Sequence, residues 1–300
     1  MADLALTQIR CPVCDDDRTR PLCDKQGFSI VQCRTCRLRY VNPRPTREWL
    51  DAWYRHEYFS SSHEETSGAQ HLQQGAIKTA TAQLRLQLLG PSGPTGRLVD
   101  MGCGGGFFVR AAATGGWEAI GIEPSVEAAR YAARAQQVRV VAGRLEATPF
   151  ADARFDVITM FDVLEHVFCP SACLTEARRL LAPGGRLVIE TPNMAGWLPR
   201  LMGQRHPWIR PPEHLTYFTP STLCRLLEQC GFQVEQLHGS TRKVLTLDYV
   251  LALIARTNPL VTALLTGTIG RWKTLCRYPL SVPLATMLAI AGPIPQERSI

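Results

Sequence analysis

The sequence predicts an α/β protein: a doubly wound, mostly parallel sheet, preceded by a small cysteine-knuckle unit and followed by an apolar helical tail. Three observations carry this reading. Between residues 97 and 237 short apolar runs alternate with helical stretches, the pattern of βαβ units. Two Cys-x-x-Cys pairs lie in the first 36 residues, and beyond residue 243 the alternation gives way to apolar, proline-punctuated, basic sequence. The expected units are therefore 1–45, 46–96, 97–243 and 244–300.

Composition narrows the setting. Hydrophobic residues make up 45% and charged residues 20%, a balance that excludes intrinsic disorder and fits a soluble globular protein. The net charge of +7 is uneven, because Met194–Ile300 holds 11 Lys/Arg against 5 Asp/Glu. A basic last third points to an anionic lipid surface, a nucleic acid or a phosphorylated substrate, or simply to a solvated basic face. Met1–Arg10 has no long apolar stretch, so no secretory signal is visible. With 11 cysteines, an odd number of which four form tight pairs, a reducing cytoplasm is expected.

Cys11-Pro-Val-Cys14 and Cys33-Arg-Thr-Cys36 are separated by 18 residues. Two such knuckles supply four thiolates to one tetrahedral zinc, so residues 1–45 read as a zinc ribbon with Cys11, Cys14, Cys33 and Cys36 as ligands. A redox pair is the alternative, though such pairs seldom come duplicated at this spacing. So small a unit buries little apolar area, and the metal would hold it together. Its role could be structural, substrate-docking or nucleic-acid binding. Cys23 reads as a bystander, and Asn42-Pro43-Arg44-Pro45 as the turn that ends the unit.

Residues 46–96 read as a connector. Aromatics (Trp49, Trp53, Tyr54, Tyr58, Phe59) precede a polar stretch, a helix over 76–89 and the breaker Gly90-Pro91-Ser92-Gly93-Pro94. In the sheet unit the strand candidates are 98–100, 118–123, 138–141, 155–160, 186–190 and 232–237. Helices such as 125–136 and 169–181 fall between them.

Arg97-Leu-Val-Asp-Met-Gly-Cys-Gly-Gly-Gly106 puts glycines directly after a buried strand and before a helix over 107–113. A chain turning from strand into helix beside a ligand needs positive φ and no intervening side chain. Glu123 ends the next strand about twenty residues on, where a carboxylate can accept both ribose hydroxyls. The loop is not GxGxxG, and Asp100 would be a poor neighbour for a pyrophosphate. It suits a cofactor with no phosphate and a positive charge, such as a sulfonium bearing an amino group.

On these residues the sequence resembles the seven-strand class I methyltransferase family, Rossmann-like in fold. Val99–Gly106 looks like the family's first motif and Gly121–Ser125 its second. Gly143–Phe150 is similar to the segment that packs on the adenine, with Arg144 in place of the usual Asp. Phe155–Val167 resembles the strand and turn facing the methyl group, and Leu181–Ile189 the last helix-to-strand turn. Pro212–Thr219 and Leu226–Phe232 resemble the substrate-side loop and final helix of a bacterial subgroup often connected with surface-glycan or secondary-metabolite assembly. The resemblance implies S-adenosyl-L-methionine as cofactor, with Asp100, Gly102, Cys103, Gly104, Gly106, Glu123, Met160 and Phe161 as its binding residues.

Methyl transfer from a sulfonium is an in-line displacement with a neutral leaving group, so the protein supplies position, dehydration and at most a base. Asp162, Glu165 and His166 fall on the turn after the fourth strand, where α/β ligands gather, and at helical spacing would share a face. His166 could deprotonate an acceptor hydroxyl, with Glu165 beside it. Alternatively the three could hold a divalent metal. Ubiquinone-pathway O-methyltransferases carry a similar acidic-xx-Glu-His pattern, and that likeness implies a metal. His214 is a second base candidate, and Trp197 and Trp208 are candidates for a lid. Each also has a plain packing role open to it.

Thr257–Gly270 and Tyr278–Gln296 lack charge entirely, and Arg271, Lys273 and Arg277 lie between them. The first is too short to span a bilayer, and prolines interrupt the second. A membrane-surface element is one reading; a helical layer over the sheet is the other. The function expected is O-methylation of a small or lipid-linked acceptor, by a cytoplasmic protein with possible peripheral contact to the inner face of the cell membrane. Two alternatives stand. RNA or protein methylation guided by the ribbon lacks a dense basic stripe with stacking aromatics. A non-catalytic ribbon adaptor with a degenerate cofactor fold has Arg144 for it, and Asp100, the glycines and Glu123 against it.

Overall fold

A computed structural model of the chain describes residues 4–56, 75–89, 96–246 and 279–294. The N-terminal unit consists of β1 (Leu6–Thr7), β2 (Thr19–Lys25), β3 (Phe28–Cys33), β4 (Arg39–Val41) and β5 (Arg44–Pro45). β2, β3 and β4 form an antiparallel meander, and β1 pairs with β5. α1 (Arg47–His56) follows, so the front of the expected connector is a helix. It is tied to the segment resembling the adenine motif by Arg47–Glu146 at 2.9 Å and Arg144–Asp51 at 3.5 Å. Tyr58, Phe59 and the proline-glycine breaker lie outside the described residues.

After α2 (Gly75–Leu88) come β6 (Arg97–Met101), α3 (Phe107–Thr114), β7 (Glu118–Glu123), α4 (Val126–Ala135), β8 (Val140–Ala142) and β9 (Phe155–Phe161). Next are α5 (Pro170–Leu180), β10 (Leu181–Pro192), α6 (Trp197–Met202), β11 (Thr216–Tyr217), α7 (Pro220–Gln229), β12 (Phe232–His238), β13 (Thr241–Thr246), β14 (Pro279–Leu284) and β15 (Thr286–Pro293). Local chemistry explains the helix starts. The Ser125 side chain accepts from the Ala128 N–H, and Thr219 with Thr222 closes a capping box ahead of Pro220.

The main sheet has the order β12-β15-β10-β9-β6-β7-β8. β15 runs antiparallel to both its neighbours, and the other described pairings are parallel. The doubly wound, Rossmann-like sheet expected from the sequence is thus present.

The tail differs from expectation. Residues 279–284 and 286–293 are strands, and β15 fills the gap between β10 and β12. The sheet therefore draws on residues well past 243, which itself lies inside β13. The physical reason is two-sided burial. Met287, Ala289 and Ala291 join the core on one face, and Leu288 and Ile290 the core on the other. A strand covered on both faces reads as an unbroken apolar run, which resembles a membrane or helical segment. The run Thr257–Gly270 and the basic cluster after it lie outside the described residues. Among the described residues no helix is long and apolar enough to cross a membrane.

The cysteine unit is not a free appendage either. β11 pairs with β4, in the register Thr216↔Tyr40 and Tyr217↔Arg39, so residues from well beyond the turn after β9 complete its sheet. Cys11, Val13, Cys33, Leu38 and Tyr40 share one hydrophobic core with Phe218, Leu223 and the face of the main sheet.

Candidate functional site

The glycine loop leaves β6 and enters α3. Gly102 has φ +77, and a Cβ there would meet Val163 at 2.6 Å, so the loop rests directly on the turn after β9. Gly104 has φ +51, and a Cβ there would meet nothing within 4 Å; its face is open to a ligand. Gly106, also left-handed, caps α3. The Cys103 side chain is buried against Gly121, which leaves its main chain as what this residue could offer a ligand.

Two carboxylates flank the loop. Asp100 accepts from the Thr159 hydroxyl at 2.6 Å. Glu123 accepts the Gly104 N–H on one oxygen and the Ser125 N–H on the other, both at 2.8 Å. Burial pushes each up to about 7, and among the described residues no cation is ion-paired with either. Such a pair suits a cationic ligand, and each oxygen keeps a second lone pair for it. Met160 and Phe161 are buried on opposite faces of the sheet, Phe161 edge-on to Phe108 at 4.7 Å. Their side chains are core, which leaves their main chain as what they could present.

The turn after β9 brings together only part of the expected set. Glu165 and His166 approach at 3.8 Å, and the His214 ring lies edge-on to His166 at 4.6 Å. Ligand atoms of these three residues all fall within 4.8 Å of one another. Glu165 is buried, accepts from the Thr191 hydroxyl at 2.9 Å, and receives the Leu215 and Thr216 N–H groups on its carbonyl. Burial and the nearby Asp162 charge push its carboxyl up. Burial lowers His166 to about 4 and His214 well below its usual range, so both imidazoles are neutral at pH 7. The Tyr54 hydroxyl lies 3.1 Å from His166 Nδ1.

Asp162 does not join this cluster, which corrects the expected Asp162–Glu165–His166 metal set. The turn is not helical, since Asp162 has φ +57, and its side chain points elsewhere. Arg85 reaches it at 2.5 Å and Lys243 at 2.6 Å, while both also hold Glu190 at 2.9 Å. Burial alone would raise the Asp162 carboxyl, but the two cations hold it far below the usual range. His214 takes its place beside Glu165 and His166. The lid candidates do not converge on the cluster: Trp197 is 75% exposed on α6, and Trp208 packs on His206 at 5.1 Å.

In the cysteine unit, Cys11 Sγ lies 3.4 Å from Cys36 Sγ, and Cys14 Sγ 3.4 Å from Cys33 Sγ. All four sulfurs fall within 4.8 Å of one another, a spacing that suits four thiolates around one tetrahedral ion.

Sequence reasoning missed Tyr54, Arg85, Lys243 and Arg44. Tyr54 carried a weak signal in its aromatic-rich helix. Lys243 carried none, because only the fold brings β13 to where its side chain reaches Asp162 and Glu190.

Comparison with known proteins shows the family and the fold. Residues 70–237 match the family model described as "Methyltransferase domain". The chain is 32% identical over 155 residues to the ubiquinone biosynthesis O-methyltransferase of Aeromonas salmonicida, spanning 48% of this chain and 65% of that protein. It is 30% identical over 190 residues to the ubiquinone biosynthesis O-methyltransferase of Cereibacter sphaeroides, spanning 54% and 74%. In fold it is similar to a chain of the complex between the Haloferax volcanii Trm112 methyltransferase activator and a methyltransferase. That likeness has a TM-score of 0.56 at 16% identity and covers 77% of this chain and 96% of that one. The YcgJ protein of Bacillus subtilis is also similar, with TM-score 0.50 at 18% identity and coverage of 72% and 99%. With its glycine loop, paired carboxylates and seven-stranded sheet, the chain belongs to the class I S-adenosylmethionine-dependent methyltransferase family.

Proposed function

We propose that this protein methylates an oxygen atom of a small or lipid-linked acceptor, with S-adenosyl-L-methionine as donor. The observation that carries the reading is the cluster of Glu165 and two neutral histidines on a turn that abuts the cofactor loop through Val163 and Gly102. The relatives named for ubiquinone biosynthesis support a small-molecule acceptor and an oxygen atom. Supplying isotope-labelled cofactor and following label into extracted metabolite pools tests it; label appearing only in RNA or protein would overturn it.

When bound, the cofactor supplies an electrophilic methyl group on a sulfonium. Glu123 and the Gly104 backbone would hold its ribose side, and Asp100 its cationic part. His166 can donate Nδ1–H to Tyr54, which leaves Nε2 to accept a proton from the acceptor hydroxyl. The resulting imidazolium would face Glu165 at 3.8 Å. A second reading has Glu165, His166 and His214 holding a divalent cation that lowers the acceptor's pKa, since carboxylate and imidazole donors suit such an ion.

Gly104→Val is expected to abolish cofactor binding in a calorimeter while the protein still melts cooperatively. Its side chain would enter open space, at a local backbone cost of about 1–2 kcal/mol. Unchanged affinity would move the cofactor away from this loop.

The four cysteines support one zinc per chain. Metal analysis of protein purified without added metal should find it, and Cys33→Ser should release it and lower the melting temperature. A Cys11–Cys14 disulfide with no zinc would replace this with a redox role.

A further inference from the structure

Arg44 is the first residue of β5, and among the described residues it is one of the largest side chains with no exposure at all. Burying a guanidinium costs several kcal/mol unless its donors and charge are met. No carboxylate pairs with it among the described residues. Instead Nη1 donates to the Phe168 carbonyl at 2.9 Å and Nε to the Val41 carbonyl at 3.4 Å, while Nη2 has no partner. The guanidinium lies 6.0 Å from the Tyr40 ring centre and 5.8 Å from that of Phe168. Its two carbonyl contacts belong to different units: Val41 ends β4 of the ribbon, and Phe168 lies two residues after His166.

A second path joins the same units. The Val41 N–H donates to the Leu215 carbonyl at 2.9 Å, and the Leu215 N–H donates to the Glu165 carbonyl at 2.8 Å. Thr216, next in line, donates to the same carbonyl and pairs with Tyr40 in the β4–β11 ladder. The ribbon edge, the loop bearing His214 and the turn bearing Glu165 and His166 are thus one hydrogen-bonded assembly, and Arg44 bridges its two ends directly.

We propose that Arg44 is a positioning residue that fixes the Glu165–His166 turn and the His214 loop against the ribbon, so that the ribbon forms a wall of the acceptor site. This rests on the reading that the Glu165, His166 and His214 cluster serves the acceptor. It places the ribbon's role in building the site, and explains why a charged residue without an acidic partner sits in the core.

The test compares full-length wild type, Arg44→Met and Arg44→Lys by site-resolved hydrogen exchange, with cofactor calorimetry and metal analysis on the same samples. Loss of the bridge should speed exchange of the Leu215 and Thr216 amides at least roughly tenfold in Arg44→Met, about 1.4 kcal/mol of local protection. Cofactor affinity and metal content should stay near wild type. Arg44→Lys keeps the charge but reaches fewer acceptors, and should fall between. Unchanged exchange at these amides in either folded variant overturns the proposal, as does loosening spread evenly over the main sheet. Because exchange is read at the amides themselves, the result stands apart from whether His166→Ala affects turnover, which tests the acceptor-site reading.

Discussion

A chain ending at residue 242 should fail to fold, giving no cooperative thermal transition and rapid proteolysis throughout the sheet. The deletion removes β15, and with it the ladders to β10 and β12 on both sides. Met287, Leu288 and Ile290 are buried to within a few per cent, and each contributes roughly 1.5–3 kcal/mol on burial. Against a typical domain stability of about 5–15 kcal/mol, that loss is decisive. It also leaves the inner edge of β10 bare, an invitation to aggregation. A soluble, cooperatively melting truncate would show that β15 is dispensable. Membrane association of the C-terminal region is accordingly best tested by substitution within the chain, since deletion is expected to destroy the fold.

His166→Ala should lower methyl transfer roughly 10²–10⁴-fold with cofactor affinity unchanged, the range expected for losing a general base. The pH dependence follows from its burial. A base acts in its neutral form, and the folded-state pKa is depressed to about 4. Wild-type turnover should therefore hold, as far as His166 is concerned, on acidification until that value is approached. The metal reading predicts instead that a chelator stops turnover and that Glu165→Gln, His166→Ala and His214→Ala behave alike. Turnover that survives both His166→Ala and chelation would sink both readings and leave positioning alone as the source of rate.

The parallel strands and their helices were legible because each is a short apolar run bounded by turn chemistry. Glu118–Glu123 coincides with its sequence expectation residue for residue. β15 was not legible, since burial on both faces erased the period-2 signal and nearby prolines made it look like irregular sequence. β11, two residues long, has no sequence signature at all. At the site, the glycine loop, Glu123 and His166 carried local signals. The sorting of Asp162 away from Glu165 did not, because it depends on Arg85 and Lys243, which reach it from 77 and 81 residues away.

The shared sheet of β4 and β11 has a consequence for how this chain can vary. A cysteine knuckle at an N-terminus looks like a cassette that could be exchanged between relatives by cutting after residue 45. Here such a cut would divide one structural unit, because Tyr40, Val41 and Arg44 meet Phe168, Leu215 and Thr216 across it. Substitutions in residues 39–44 should then be tolerated mainly alongside matching changes in residues 165–168 and 214–217. The two stretches should then change as a pair though they are far apart in the chain, and a chimera that keeps them together should retain the site where a simple swap loses it.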